Sequence, residues 1–132
     1  MKKEAIIPEG MQAYYDHYHF APAIKVGNTV YVSGQTGLTE TGEVPATLEE
    51  QTHRTFQSLK YVLEAAGCTL DDVVELQSFH VDFPNGAEAI MAIKAEYFTK
   101  NYPAWTAVGV TSLAMPGLLV EFKAIAVVGS GA

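Results

Sequence analysis

The sequence predicts a mixed α/β (α+β) domain in which one sheet carries both of its helices on the same face. Three observations lead there. Short β-branched segments alternate with longer stretches whose apolar residues recur at helical spacing. Their order along the chain is hairpin, helix, strand, helix, strand, strand, which suits a mixed sheet with its helices in a single layer. The chain has 132 residues, 48% hydrophobic and 17% charged, so residues 1–132 can bury one core as a single domain and not two.

The first elements are Ala23 to Val26 and Thr29 to Ser33, separated by Gly27-Asn28, a pair suited to a tight primed turn; together they predict a β-hairpin. The glycines of Gly34-Gln35-Thr36-Gly37 and Gly42 follow, where missing side chains allow close backbone approach. Thr47-Leu48-Glu49-Glu50 has the spacing of a capping box. It opens a helix with Leu48, Thr52, Thr55, Phe56, Leu59, Val62, Leu63 and Ala66 on one stripe, closed by Gly67 as a left-handed cap. Asp71-Asp72 turns the chain into a strand from Val73 to Val81. A second helix is predicted from about Gly86 to Thr99, with Ile90, Ile93, Lys94, Tyr97 and Phe98 at helical spacing and Asn101-Tyr102-Pro103 ending it. Two last strands are predicted, Thr106 to Ser112 and Leu118 to Val128, with no internal repeat or linker anywhere.

Two helices on one face leave the other face of the sheet bare. The segment LLVEFKAIAVV is apolar at successive positions and Val73-Val74 opens its strand in the same way, the pattern of strands buried on both sides. The second cover is therefore expected from copies of the same chain packed in a closed ring, with sites between subunits.

A net charge of −7 opposes binding to phosphate backbones, so nucleic acid is not an expected partner. The start, MKKEAIIPEGMQ, offers no apolar run long enough for a signal peptide or a bilayer span; a cytoplasmic protein without membrane association is expected. The single cysteine, Cys68, follows Ala65-Ala66-Gly67 at a helix exit and reads as a buried, inert thiol. CxxC, HExxH and GxxxxGK[ST] are absent. His17 and His19 stand in an aromatic cluster with Tyr14, Tyr15, Tyr18 and Phe20 that reads as a gate or rim rather than a metal site; neither metal nor cofactor is expected.

Chemistry concentrates in YPAWTAVGVTSLAMPGLLVEFKAIAVV, where Glu121 is a lone acid in an apolar strand. It either pairs with Lys123 or another chain, or acts as a general base whose pKa burial raises. Trp105 either fills a subunit contact or stacks on a ligand. Ser33 has no neighbouring base and does not fit GxSxG, leaving it a hydrogen-bonding role. His80 alternates with Ser78 and Asp82 on one strand face, as a core histidine or an acid/base group.

Val32-Ser33-Gly34-Gln35, Gly42-Glu43-Val44-Pro45, Leu63-Glu64-Ala65-Ala66-Gly67 and Val120-Glu121-Phe122-Lys123-Ala124-Ile125-Ala126 together resemble the RidA family of reactive intermediate deaminases, YjgF-type. Ala66-Gly67-Cys68-Thr69, Ser78-Phe79-His80 and Trp105-Thr106-Ala107-Val108-Gly109-Val110-Thr111 look closest to its YjgH-like branch. The resemblance implies a chorismate-mutase-like fold, a homotrimer whose sheets form a central barrel, and small-molecule clefts between subunits. It also implies cofactor-free hydrolysis of enamines and imines to keto acids and ammonia. In such proteins an arginine after Pro-Ala clamps the substrate carboxylate, and a glutamate on the last strand positions water.

The chain departs from that pattern at four positions. Trp105 follows Pro103-Ala104 where the arginine would stand, Phe20 replaces a tyrosine, Met91 an asparagine, and Ala107 a cysteine. Ser33, Gly34 and Glu121 are retained. The expectation is a catalytic Glu121, with Ser33, Gly34, Trp105, Phe20, Met91, Ala107 and His80 around the substrate and Trp105 stacking on it. With the carboxylate clamp gone, the substrate is expected to be less anionic than usual for the family, or the trimer to bind a small molecule without catalysis. Endoribonuclease activity, attached by name to parts of the family, is disfavoured by the acidic charge.

Overall fold

A computed structural model describes all residues, 1–132. Ten residue segments of regular structure build it: β1 (Glu4–Ile6), α1 (Gln12–Asp16), β2 (Ala23–Val26), β3 (Thr29–Gln35), α2 (Leu48–Ala65), a 3-10 turn (Leu70–Asp72), β4 (Val73–Val81), α3 (Ala87–Tyr97), β5 (Ala104–Val110) and β6 (Val120–Val127). The strands form one sheet in the order β1-β2-β3-β6-β4-β5. β4 and β5 run parallel, joined by α3 as a crossover, and every other neighbouring pair is antiparallel. The last strand is thus inserted between β3 and β4, which places Glu121 in the interior of the sheet.

The predicted hairpin forms as a two-residue turn with Val26 opposite Thr29 and Gly27 at φ 59°. At the start of α2 the Thr47 hydroxyl accepts from the Glu50 amide at 3.1 Å, one half of the predicted capping box. Its end is a complete Schellman closure: Gly67, at φ 85°, donates to Glu64 O, and Cys68 N donates to Leu63 O at 2.9 Å. The buried stripe Thr52, Thr55, Phe56, Leu59, Val62 and Leu63 is the predicted one. Phe56, fully buried, packs its ring 4.7 Å from Phe122 and 5.8 Å from Phe98, tying α2 and α3 to β6. Burial of such a ring is worth about 2–3 kcal/mol.

Both helices pack on the face carrying Val30, Val32, Leu76, Val120, Phe122, Ala124 and Ala126, as expected. The other face carries Tyr31, Phe79, Val108, Ile125 and Val127 with Glu121 and Lys123 among them, and no element of the chain covers it. Tyr31 is 49% and Val108 42% exposed. Cys68 is buried and its thiol pKa is raised by burial, then by Asp72, against a lowering by Lys25.

Several expectations need correction. β1 and α1 lie ahead of Ala23, where no element is predicted: β1 is a short edge strand without alternation, and α1 has no buried residue and hence no apolar stripe. β5 begins at Ala104, so Trp105 is a strand residue rather than a loop residue before it. β4 ends at Val81, and Asp82 adopts a left-handed φ of 63°, so it does not share a strand face with Ser78 and His80. No helix is long and apolar enough to cross a membrane.

Candidate functional site

The expected site residues fall into two groups on opposite faces of the sheet. Trp105 is paired with Leu76, which is fully buried under the helices, whereas Glu121 is paired with Phe79, three residues further along β4. An odd offset along a strand reverses the face. Within one chain, therefore, Glu121 and Trp105 do not line a common cleft.

The first group is Glu121, Gly34, Ser33 and Phe20. A bulge between Val32 and Gln35 breaks the β3–β6 register beside Glu121. The Glu121 carboxylate fills the space a β-carbon on Gly34 would need, so the missing side chain gives the acid its place by close approach rather than by backbone angle. Burial raises the Glu121 pKa above its ordinary value, and Lys123 partly opposes the rise. The Ser33 hydroxyl donates to Ala21 O at 2.7 Å, and Ser33 N donates to Pro22 O at 2.9 Å. Its proton spent, the hydroxyl has lone pairs left and can accept an N–H from a ligand. Phe20, 41% exposed, packs 5.4 Å from the Tyr14 ring. It lines a cavity of about 460 Å³ with Lys3, Ala5, Tyr15, His19, Ala21 and Ile24.

The second group surrounds Trp105. Its indole Nε1 donates to Ser78 Oγ at 2.8 Å, and the same hydroxyl meets His80 Nε2 at 2.7 Å. His80 is fully buried, 4.8 Å from the Phe83 ring and edge-on to Phe122 at 5.8 Å. Burial lowers its pKa, so the neutral ring belongs to the fold. Its Nδ1 has no partner, so it is a core histidine with one nitrogen left unsatisfied. Ala107 is paired with the buried Ser78 on the same strand face as Trp105, and Met91 is 55% exposed on α3. Met91 and Trp105, with Lys94, Ala95, Phe98, Thr99 and Tyr102, line a cavity of about 290 Å³.

A cation from another element nevertheless stands beside Trp105. The Lys94 ammonium stands 4.5 Å from the Trp105 ring centroid and 5.6 Å from that of Phe98. Phe122 lies nearly parallel to the indole, 6.4 Å away. The ring face read as free for stacking thus carries a cation, and the indole N–H is already bonded inside the chain. Sequence reasoning counted Lys94 only as a member of the α3 stripe. Its signal was an ammonium at an apolar position beside Ile93, Tyr97 and Phe98.

Gln51 was also missed as anything beyond a helical residue. It is buried, donates through Nε2 to Pro45 O at 3.0 Å and Gly117 O at 2.9 Å, and accepts from Leu119 N at 2.8 Å. It thereby fixes the loop that leads into β6 and Glu121. No group of three His, Cys, Asp or Glu side chains gathers as a metal cluster would.

Comparison with known proteins places these features. Residues 11–128 match the family model described as Endoribonuclease L-PSP. The chain is 41% identical over 127 residues to the RutC family protein YjgH of Escherichia coli (strain K12), covering 96% of this chain and 95% of that protein. It is 36% identical over 111 residues to a 2-iminobutanoate/2-iminopropanoate deaminase of Dermatophagoides farinae, covering 83% and 85% of the two chains. A solved structure of protein YJGH superposes with a TM-score of 0.87 at 40% identity, covering 97% of this chain and 98% of that one. These matches show that the chain belongs to the Endoribonuclease L-PSP family, the RidA/YjgF group.

Proposed function

We propose that this protein is a cytoplasmic homotrimer that hydrolyses small imines, enamines or related reactive metabolites, working without a cofactor in clefts between subunits and belonging to the YjgH-like branch. The observation that carries the reading is the Glu121 carboxylate, half-buried against Gly34 with its pKa raised, with Ser33, the residue before Gly34, keeping hydroxyl lone pairs that can accept an N–H. The relative named as a 2-iminobutanoate/2-iminopropanoate deaminase supports the reaction class.

In this reading Ser33 Oγ accepts the imine N–H and Glu121 takes a proton from water as the oxygen attacks the imine carbon. Glu121 returns that proton to nitrogen, giving the neutral carbinolamine, then takes the carbinolamine hydroxyl proton and passes it to the same nitrogen as the C–N bond breaks, so that a carbonyl compound and ammonia leave. An enamine enters the same path after protonation at carbon. A carboxylate whose pKa lies nearer neutrality is a better match to this shuttling than an ordinary surface acid.

A binding trimer without catalysis is the second reading. Trp105, standing where the resemblance implies a carboxylate-clamping arginine, favours it. The two separate in one assay, in which an amino-acid oxidase generates the imine and semicarbazone formation is followed. The hydrolase reading expects wild-type protein to suppress the semicarbazone and Glu121→Gln to lose about a hundredfold of that rate, the scale of general-base catalysis. Wild type indistinguishable from buffer leaves only the binding reading. The acidic charge disfavours an RNA substrate, whose backbone needs basic contacts.

A further inference from the structure

We propose that Lys94, seated on the Trp105 indole, is the anion-binding group of the cavity between α3 and β5, and that its ligand is a small monocarboxylate with a short apolar body. This deepens the proposed function, and it rests on that reading for the claim that the carboxylate belongs to a substrate or product.

The Lys94 ammonium donates no hydrogen bond within the chain and forms no ion pair; the one salt bridge in the molecule joins Arg54 to Glu50. It is nonetheless held in place, 4.5 Å over Trp105 and 5.6 Å over Phe98, at the edge of the cavity. The floor under it is fixed in turn, because Trp105 Nε1 is tied to Ser78 and the indole abuts Phe122. Burial depresses the lysine's pKa, the signature of an ammonium that has given up water without gaining a counter-charge. An anion entering the cavity would supply that charge.

The cavity chooses among anions. It offers one cation, and among its lining residues Tyr102 is the only other titratable group. Thr99 and Tyr102 add hydroxyl groups, while Met91, Ala95, Phe98 and Trp105 are apolar. One cation beside apolar walls suits a singly charged carboxylate on a hydrocarbon body, whereas a phosphate would bring more charge and hydration than the walls can replace. At about 290 Å³ the space fits a metabolite of a few carbons rather than a drug-sized ligand.

Trp105 is the only tryptophan, so intrinsic fluorescence reads the site directly. Titration of the full-length protein with 2-oxobutanoate, its uncharged methyl ester, and sodium phosphate at matched ionic strength tests the assignment. A saturable change is expected with 2-oxobutanoate, weakened about tenfold for the ester and about tenfold in Lys94→Met, as loss of a part-screened charge pair implies, and kept within about threefold in Lys94→Arg. Absence of saturable binding by wild type, equal binding by the ester or by Lys94→Met, or an equal response to phosphate overturns it. The imine assay run in parallel separates the two proposals. Hydrolysis with an unchanged KM in Lys94→Met overturns this one alone, and carboxylate binding without hydrolysis overturns the hydrolase reading alone.

Discussion

The Glu121 carboxylate occupies the volume in which a side chain at Gly34 would begin, so the position of the acid and the absence of a β-carbon are one structural feature. The atoms a Gly34→Ala methyl would meet are the end of a flexible side chain, not backbone. The cost to folding is therefore small, about 1 kcal/mol or less. The carboxylate must move by roughly the width of a methyl, however, and displacement on that scale removes about a hundredfold of a positioned group's rate. Urea unfolding and imine hydrolysis measured on the same preparation check both halves; a fully active Gly34→Ala protein would show that the acid's position is immaterial.

The lone pair on Glu121 serves as a base only when the carboxylate is ionised. Burial raises its pKa and Lys123, two residues along the same strand face, lowers it. Hydrolysis should accordingly fall as pH drops through a value above 4.5, the ordinary carboxyl pKa. Replacing Lys123 with Met removes the opposing charge, so the acid limb of the rate profile should move to higher pH. A limb that stays in place, or moves down, would dissociate Glu121 from the rate.

Gln51 bridges three backbone groups of two loops that also approach each other at Val44 and Gly117. Gln51→Leu keeps the volume and deletes every bond, leaving Pro45 O buried and Leu119 N–H and Gly117 O part-buried without this partner. The expected loss of stability is about 3 kcal/mol, several unsatisfied groups together. Equilibrium urea unfolding reads it, and a change below about 1 kcal/mol would mean that water or a relaxed loop replaces the bonds.

His80 makes stability depend on pH in a defined direction. Its folded pKa lies below 6.5 because burial disfavours the imidazolium, while the unfolded side chain titrates near the ordinary value. Below that value the unfolded state binds the extra proton, so stability present above about pH 6.5 is lost as pH falls toward the folded pKa. Between about pH 7.5 and about pH 5.5 the contribution is at most about 1.4 kcal/mol. His80→Leu removes the titrating group and the unpartnered Nδ1 together, and its unfolding free energy should vary less over that interval than wild type's; an unaltered dependence would assign it to other groups.

The residues legible in the sequence were those whose role follows from local pattern. The α2 stripe, the Gly27-Asn28 turn and the Gly67 closure each depend on neighbours a few positions away, and all three stand as expected. Placing Trp105 and Glu121 on faces depends instead on the register of two strands against β4, which no spacing within either strand encodes. Lys94 was hidden for a related reason: its helix stripe is visible, but the indole beneath it arrives from β5 through tertiary packing. β1 and α1 escaped because elements of three and five residues are too short to display a period.

The final prediction follows from the two separated groups. Glu121 lies on the face that no helix covers, with Tyr31, Phe79, Val108, Ile125 and Val127 around it, and Trp105 lies on the other. A cleft that uses both must take them from different chains, and an apolar sheet face of this kind is the surface that such chains would share. Light scattering should therefore give three times the 14.3 kDa chain mass. Ile125→Glu puts a carboxylate into the middle of that face, where a lone chain can leave it solvated but a sheet-to-sheet contact cannot. The variant should remain folded by circular dichroism, run as a smaller species, and lose imine hydrolysis with the assembly. A monomer that turns over imine as fast as wild type would place the whole reaction on one chain, and would then require Glu121 to work without anything from the Trp105 side.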